Sequence, residues 1–282
     1  MLMIIAILVL LGLCFGSFVN ALVWRMHQQN KLDKSSKQNA SSKYSIVHGR
    51  SMCTHCGHEL HAKDLLPVIS WLTLGGKCRY CGKQIHWQYP AVELVTAAQF
   101  VVSYVMWPEG LEGIEIGVFG LWLVAMVGFM ALIVYDLRWM LLPNKIVFPL
   151  YGAGGAVVAL RIIQEASVTP LLSAIGGVLV GGGIFYALFQ VSKGRWIGGG
   201  DVKLGFLLGA LVGSPVLALF MLFVASTLGT LFAVPLMATK KAHRGTRIPF
   251  GPFLIIATII TVLAGQSIID WYLEISLITS DV

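Results

Sequence analysis

The sequence predicts an all-α polytopic membrane protein of about eight transmembrane helices, with a small cytoplasmic zinc-knuckle loop. Three observations carry that reading. Hydrophobic residues make up 57% of the 282-residue chain and charged residues only 12%, with a mean hydropathy of +0.80, richer in apolar and poorer in charged residues than soluble proteins are. Apolar runs follow one another at lengths near the roughly 20 residues that cross a ~30 Å hydrocarbon layer. The basic residues fall in alternate loops.

In chain order the spans read at about 2–24, 91–107, 115–135, 145–163, 171–191, 202–215, 216–238 and 250–270. The first has no basic residues ahead of it and runs into Arg25 without a small-residue cleavage site, so it reads as a retained helix and not a signal peptide. Its end, Gly16-Ser17-Phe18-Val19-Asn20, places small and polar residues where a neighbouring helix can pack closely. Glu93 opens the second span, where a carboxylate suits a helix N-terminus. The sixth is cut short by Gly213-Ser214-Pro215. The chain therefore divides into a first helix (1–24), a cytoplasmic loop (25–90) and a multi-span domain (91–282).

With the N-terminus outside, loops 25–90, 136–145, 192–203 and 239–249 face the cytoplasm and hold every Lys and Arg except Arg161, as the positive-inside rule expects. Arg138, Lys145, Lys193 and Arg195 read as membrane-surface anchors. The net charge of +7 then reflects topology, and no nucleic-acid partner is needed to explain it. The lipid bilayer is the implied surrounding.

Loop 25–90 is the one stretch long enough to form structure outside lipid. Gln28 to Lys43 is polar, without apolar periodicity, and reads as a flexible linker. Beyond it come four of the five cysteines, as Cys53-Thr54-His55-Cys56 and Cys78-Arg79-Tyr80-Cys81. Two such turns can direct four thiolates at one tetrahedral zinc ion. Disulfides are disfavoured in a reducing cytoplasm, and no βαβ pattern supports a redox site. A structural metal also supplies stability that so small a module cannot draw from a core.

Two aspartates stand at the ends of spans. Asp136 closes the third as it reaches the cytoplasm; Asp201 opens the sixth as it leaves, after Gly198-Gly199-Gly200. Ionisable groups at such positions are functional candidates. Both lie at one depth on one face, and two carboxylates sharing a site hold a proton between them. One can then activate water while the other polarises a scissile carbonyl. Gly198 and Gly200 leave room for a substrate backbone, and Lys203 follows two residues after Asp201, as a substrate contact or as a snorkelling surface lysine.

These motifs, taken together, resemble those of the prepilin peptidases. The likeness runs through Gly16-Ser17-Phe18-Val19-Asn20, Arg25, Arg50-Ser51, Ile69-Ser70-Trp71-Leu72, Gly76-Lys77-Cys78-Arg79-Tyr80-Cys81-Gly82 and Tyr89-Pro90-Ala91-Val92-Glu93-Leu94. It continues in Asp136, Leu142-Pro143, Gly198-x-Gly200-Asp201-x-Lys203-Leu204 and Ile248-Pro249-Phe250-Gly251-Pro252. The resemblance implies a bacterial inner-membrane enzyme that cleaves the basic leader of type IV prepilins or pseudopilins after a glycine, with Asp136 and Asp201 as the catalytic pair. It further implies methylation of the new N-terminal amine, usually on phenylalanine, from S-adenosylmethionine, and it associates the knuckle loop with bifunctional members. One departure is Asn144, where the family usually carries aspartate; an asparagine there is expected to cap the following helix.

An ion-coupled transporter would more often show repeats and midplane acids. Presenilin-like proteases share Tyr135-Asp136 and the Gly-x-Gly-Asp motif, but would carry a later Pro-Ala-Leu that this chain lacks. A scaffold without chemistry leaves both aspartates unexplained. The sequence gives neither the oligomeric state nor a donor-binding motif.

Overall fold

A computed structural model describes residues 1–31, 44–46, 48–239 and 248–280, with side chains up to 276. Among these residues there is no strand; two isolated antiparallel bridges pair Met52 with Glu59 and Lys77 with Gln84. The helices are α1 (Leu2–Lys31), α2 (Ile69–Thr73), α3 (Gln88–Val105), α4 (Ile114–Trp139), α5 (Asn144–Glu165), α6 (Thr169–Ser192), α7 (Gly199–Val212), α8 (Pro215–Ala238) and α9 (Gly251–Ile260). A π-helical turn, Thr261–Gly265, carries α9 into α10 (Gln266–Ser280).

All eight apolar runs are helical, but their lengths differ from the expected eight spans. Among the described residues, six helices are long and apolar enough to cross a membrane. The other two are α3, 18 residues with Gln88, Glu93 and Gln99 in its run, and α7, 14 residues long. At 1.5 Å per residue α7 spans only about 21 Å. It ends where Gly213 turns left-handed (φ 69°) and Pro215 starts α8. At the other end of the chain, α1 outruns its expected limit by seven residues, because Arg25 to Lys31 extend the helix past the apolar run. Gln28 to Lys31 are thus helix and not linker; the rest of that stretch lies outside the described residues.

Two compact units result, residues 1–105 with 126–131, and residues 106–125 with 132–282. In the first, α3 runs antiparallel along α1. A Cβ on Gly12 would fall within 3.0 Å of the Ala97 backbone, and one on Gly16 equally close to that of Glu93, so these glycines let the two backbones touch. Asn20 fixes the register by donating to the Tyr89 carbonyl at 3.0 Å. Buried Arg25 donates to the carbonyls of Ser45 and Ile46.

In the second unit a similar seam joins α6 and α7. Gly177 meets Gly209 and Gly181 meets Gly205, each pair too close for any side chain on either partner. This seam fixes α7, and with it Asp201, against α6. Arg161, the basic residue outside the loops read as cytoplasmic, donates to Glu109 at 2.6 Å and Glu115 at 3.0 Å.

Candidate active site and metal centre

Asp136 lies in the last turn of α4, buried, one turn before Met140 ends the helix in a left-handed conformation (φ 52°). Its Oδ2 accepts the backbone amide of Gly251 at 3.1 Å. Gly251 is the first residue of α9, so the carboxylate caps a helix N-terminus, where free amides and the macrodipole favour negative charge. Any side chain on Gly251 would collide with it: a Cβ there would lie 2.7 Å from Asp136 Oδ2. Gly251 stands in the Ile248-Pro249-Phe250-Gly251-Pro252 motif, but the sequence does not assign it this task, since 115 residues separate the partners.

Asp201 occupies the first turn of α7, with Gly198 as its extended N-cap residue. It is half-buried, and Leu142 links its turn to the Gly251 turn that holds Asp136. Leu142, in the turn between α4 and α5, packs against both helix starts: a Cβ on Gly200 would meet its side chain at 3.2 Å and one on Gly251 at 3.5 Å. Gly198 and Gly200 lie in the aspartate's own turn, Gly198 facing Asp201 Oδ2 and Gly200 covered by Leu142. Lys203 does not point into that turn. Its ammonium donates to Asn144 Oδ1 at 3.1 Å, while its carbonyl accepts the Tyr151 hydroxyl at 2.6 Å, tying α7 to α5. Asn144 likewise departs from expectation: Pro143 is the N-cap of α5, and Asn144 is the first helical residue, with its side chain engaged by Lys203. An open, largely apolar groove of about 360 Å³ runs past Phe250, lined by Phe253, Gly229 and Thr230 among others.

The four knuckle cysteines converge, their sulfurs all within 4.8 Å of one another and Cys53 3.9 Å from Cys81. Tetrahedral zinc with ~2.3 Å bonds sets sulfurs about 3.8 Å apart, so the cluster fits such an ion. The two knuckles are one hairpin built twice. Cys53 N donates to His58 O, Gly57 N to Cys53 O and Leu60 N to Ser51 O; Cys78, Gly82 and Ile85 repeat the pattern with Lys83, Cys78 and Gly76. Gly57 (φ 71°) and Gly82 (φ 68°) make the left-handed corner in each. The repeated Cys-x-x-Cys-Gly signals this duplication in the sequence. As thiols the four crowd one another: the Lys83 amide favours the Cys81 thiolate, but desolvation and neighbouring Cys78, Cys56 and Cys53 outweigh it and push Cys81 up to about 11. A bound dication inverts that balance. Asp64 braces the second knuckle. Desolvation works against its charge, but bonds from Arg79 (2.7 Å), Tyr80 (2.8 Å) and the His61 amide prevail and hold it below the usual carboxylate range.

Comparison with known proteins agrees with this division of the chain. Residues 10–107 match the bacterial Peptidase A24 N-terminal domain, and residues 123–234 match the type IV leader peptidase family. The chain is 34% identical over 279 residues to a prepilin leader peptidase/N-methyltransferase of Pseudomonas aeruginosa, covering 94% of this chain and 92% of that one. The chain belongs to the type IV leader peptidase family. Other members include a type 4 prepilin-like proteins leader peptide-processing enzyme of Escherichia coli, 34% identical over 89% of this chain and 90% of that one. A prepilin leader peptidase/N-methyltransferase of Bacillus subtilis is 31% identical over 83% of this chain and 89% of its own length. No solved structure matches.

Proposed function

We propose that this protein is a membrane aspartic endopeptidase that removes the leader of type IV prepilins or pseudopilins at the cytoplasmic face of a bacterial inner membrane, and that it N-methylates the residue so exposed. The observation that carries the peptidase reading is the meeting of Asp136, Leu142, the Gly198–Asp201 turn and Gly251 in one place.

Two carboxylates so placed share one proton. Asp136, held by the Gly251 amide, is the acceptor: it takes a proton from water as the hydroxide adds to the scissile carbonyl carbon. Asp201 carries the shared proton and gives it to the carbonyl oxygen. Collapse of the tetrahedral intermediate returns that proton from oxygen, breaks the C–N bond, and delivers a proton from Asp136 to the departing amine. Gly198, bare of any side chain, lets the substrate backbone approach in extended form, while Gly200 makes room for Leu142; the open groove beside Phe250 suits an apolar side chain flanking the cut. Lys203, bonded to Asn144, ties α7 to α5.

Cys53, Cys56, Cys78 and Cys81 would hold zinc as a closed four-thiolate site, which stabilises the loop and leaves no position open for chemistry. The methyl-transfer half of the reading, with S-adenosylmethionine as donor, comes from the relatives' names. Mass spectrometry of a purified prepilin after incubation with the enzyme, with and without S-adenosylmethionine, tests both halves. Leader loss in both samples and a methyl gain only with the donor are expected; an intact leader overturns the peptidase assignment, and a leaderless, unmethylated product overturns the transferase assignment.

A further inference from the structure

Glu93 is buried, 7% exposed, and the proposed chemistry does not use it. Its carboxylate accepts the Val68 amide at 2.7 Å and the Ser17 hydroxyl. Val68 itself is strained, with φ 59° and ψ −48° just ahead of α2. A segment of the cysteine loop is thus bent out of favourable backbone geometry to meet a carboxylate on α3.

The depth of that meeting follows from α1. Gly16 backs directly onto the Cα of Glu93, and Gly12 onto Ala97. Gly16 and Ser17 lie well inside the apolar run 2–24, and seven residues separate Ser17 from Trp24, about 10 Å of helix. Val68 is therefore held below the membrane surface, beside the lipid-crossing part of α1. Around it Leu65, Leu66, Ile69 and Leu72 turn outward, Ile69 58% and Leu72 63% exposed, while Trp71 on the opposite face donates to the Ile85 carbonyl.

We infer that Leu65–Leu72 is a re-entrant, lipid-facing element that seats the cysteine module in the cytoplasmic leaflet, with Glu93 as the buried acceptor for its backbone. Its occupant is the acyl-chain region of the bilayer. Non-helical backbone at that depth requires its polar groups to be satisfied within the protein, and four of its amides have such partners. The Val68 amide goes to Glu93, Ile69 N to Pro67 O, Ser70 N to Leu66 O and Leu72 N to Val68 O. Outward leucine and isoleucine side chains at hydrocarbon depth are then in their preferred solvent. Trp87, exposed and one residue ahead of α3, stands where interfacial tryptophans anchor.

The test places a photoreactive benzoylphenylalanine at Ile69 or Leu72 in the full-length protein, reconstituted in phosphatidylethanolamine/phosphatidylglycerol vesicles. Leu10 on the exposed face of α1 serves as the lipid-facing control and Lys83 on the second knuckle as the solvent-facing one. After irradiation, mass spectrometry should find phospholipid adducts at Ile69 and Leu72 as at Leu10, and none at Lys83. Adduct loss at both positions while Leu10 still labels would overturn the inference, as would cross-links to a second protein chain in place of lipid. Glu93→Ala should reduce the lipid adducts at Ile69 in protein that keeps its secondary structure by circular dichroism. Adducts unchanged by that substitution would remove Glu93 from the role of acceptor. The readout is independent of peptidase activity.

Discussion

Replacing Gly251 by alanine isolates the interaction that holds Asp136 of the proposed catalytic pair. The new Cβ would lie 2.7 Å from Asp136 Oδ2 and 3.4 Å from its Cγ, with Leu142 closing the other side at 3.5 Å. Restoring an ordinary contact of 3.4 Å takes a retreat of about 0.7 Å by the carboxylate. That movement stretches the 3.1 Å bond from the Gly251 amide past hydrogen-bonding range. A hydrogen bond to a charged group is worth about 1.5–3 kcal/mol, and a misplacement on the order of 1 Å near the reacting atoms costs about 100-fold. Both routes converge on a kcat reduced on the order of 100-fold, with KM little changed because the substrate's own contacts remain. Gly251 does not have a positive φ, so alanine suits its backbone and the fold should persist. The assay is leader cleavage in detergent or vesicles, with Gly183→Ala, whose Cβ meets nothing within 4 Å, as the silent control. A Gly251→Ala enzyme with the wild-type kcat would refute the argument that this amide positions Asp136.

Asp136→Asn and Asp201→Asn should each remove leader cleavage while the purified proteins keep their helical content; near-normal turnover in either variant removes that residue from the mechanism. Elemental analysis of protein purified without chelator should find one zinc per chain, lost in the Cys53→Ser/Cys56→Ser double variant; metal-free wild-type protein would contradict the zinc assignment. Disrupting Cys78 and Cys81 together should depress methylation more than cleavage, both read by mass spectrometry on one substrate. A parallel fall in the two products would instead make the module a brace for the whole enzyme.

What the sequence revealed and what it hid divide along a physical line. Apolar runs announced every membrane helix, because lipid demands a local compositional signal, and Gly198-x-Gly200-Asp201 marked a candidate site because its residues are neighbours in the chain. Hydropathy could not see α1 continue to Lys31, since polar residues hold a helix as readily as apolar ones once it has begun. The Gly251 amide and the Val68 amide each serve a carboxylate far away in sequence, and backbone groups carry no residue-specific signature at all. The bond between Lys203 and Asn144 is hidden for a similar reason, since its partners sit on two helices, 59 residues apart.

The brevity of α7 also bears on the membrane around it. Fourteen residues reach about 21 Å, some 9 Å short of a ~30 Å hydrocarbon layer. That shortfall is a hydrophobic mismatch, and it has two remedies: the bilayer thins locally, or water follows the helix end inward. Either one brings bulk solvent nearer to Asp201, which begins this same helix. Hydrolysis consumes a water molecule with every bond cut, and lipid thickness thereby becomes a variable in its supply. Short-chain bilayers should favour turnover, and long-chain bilayers should slow it.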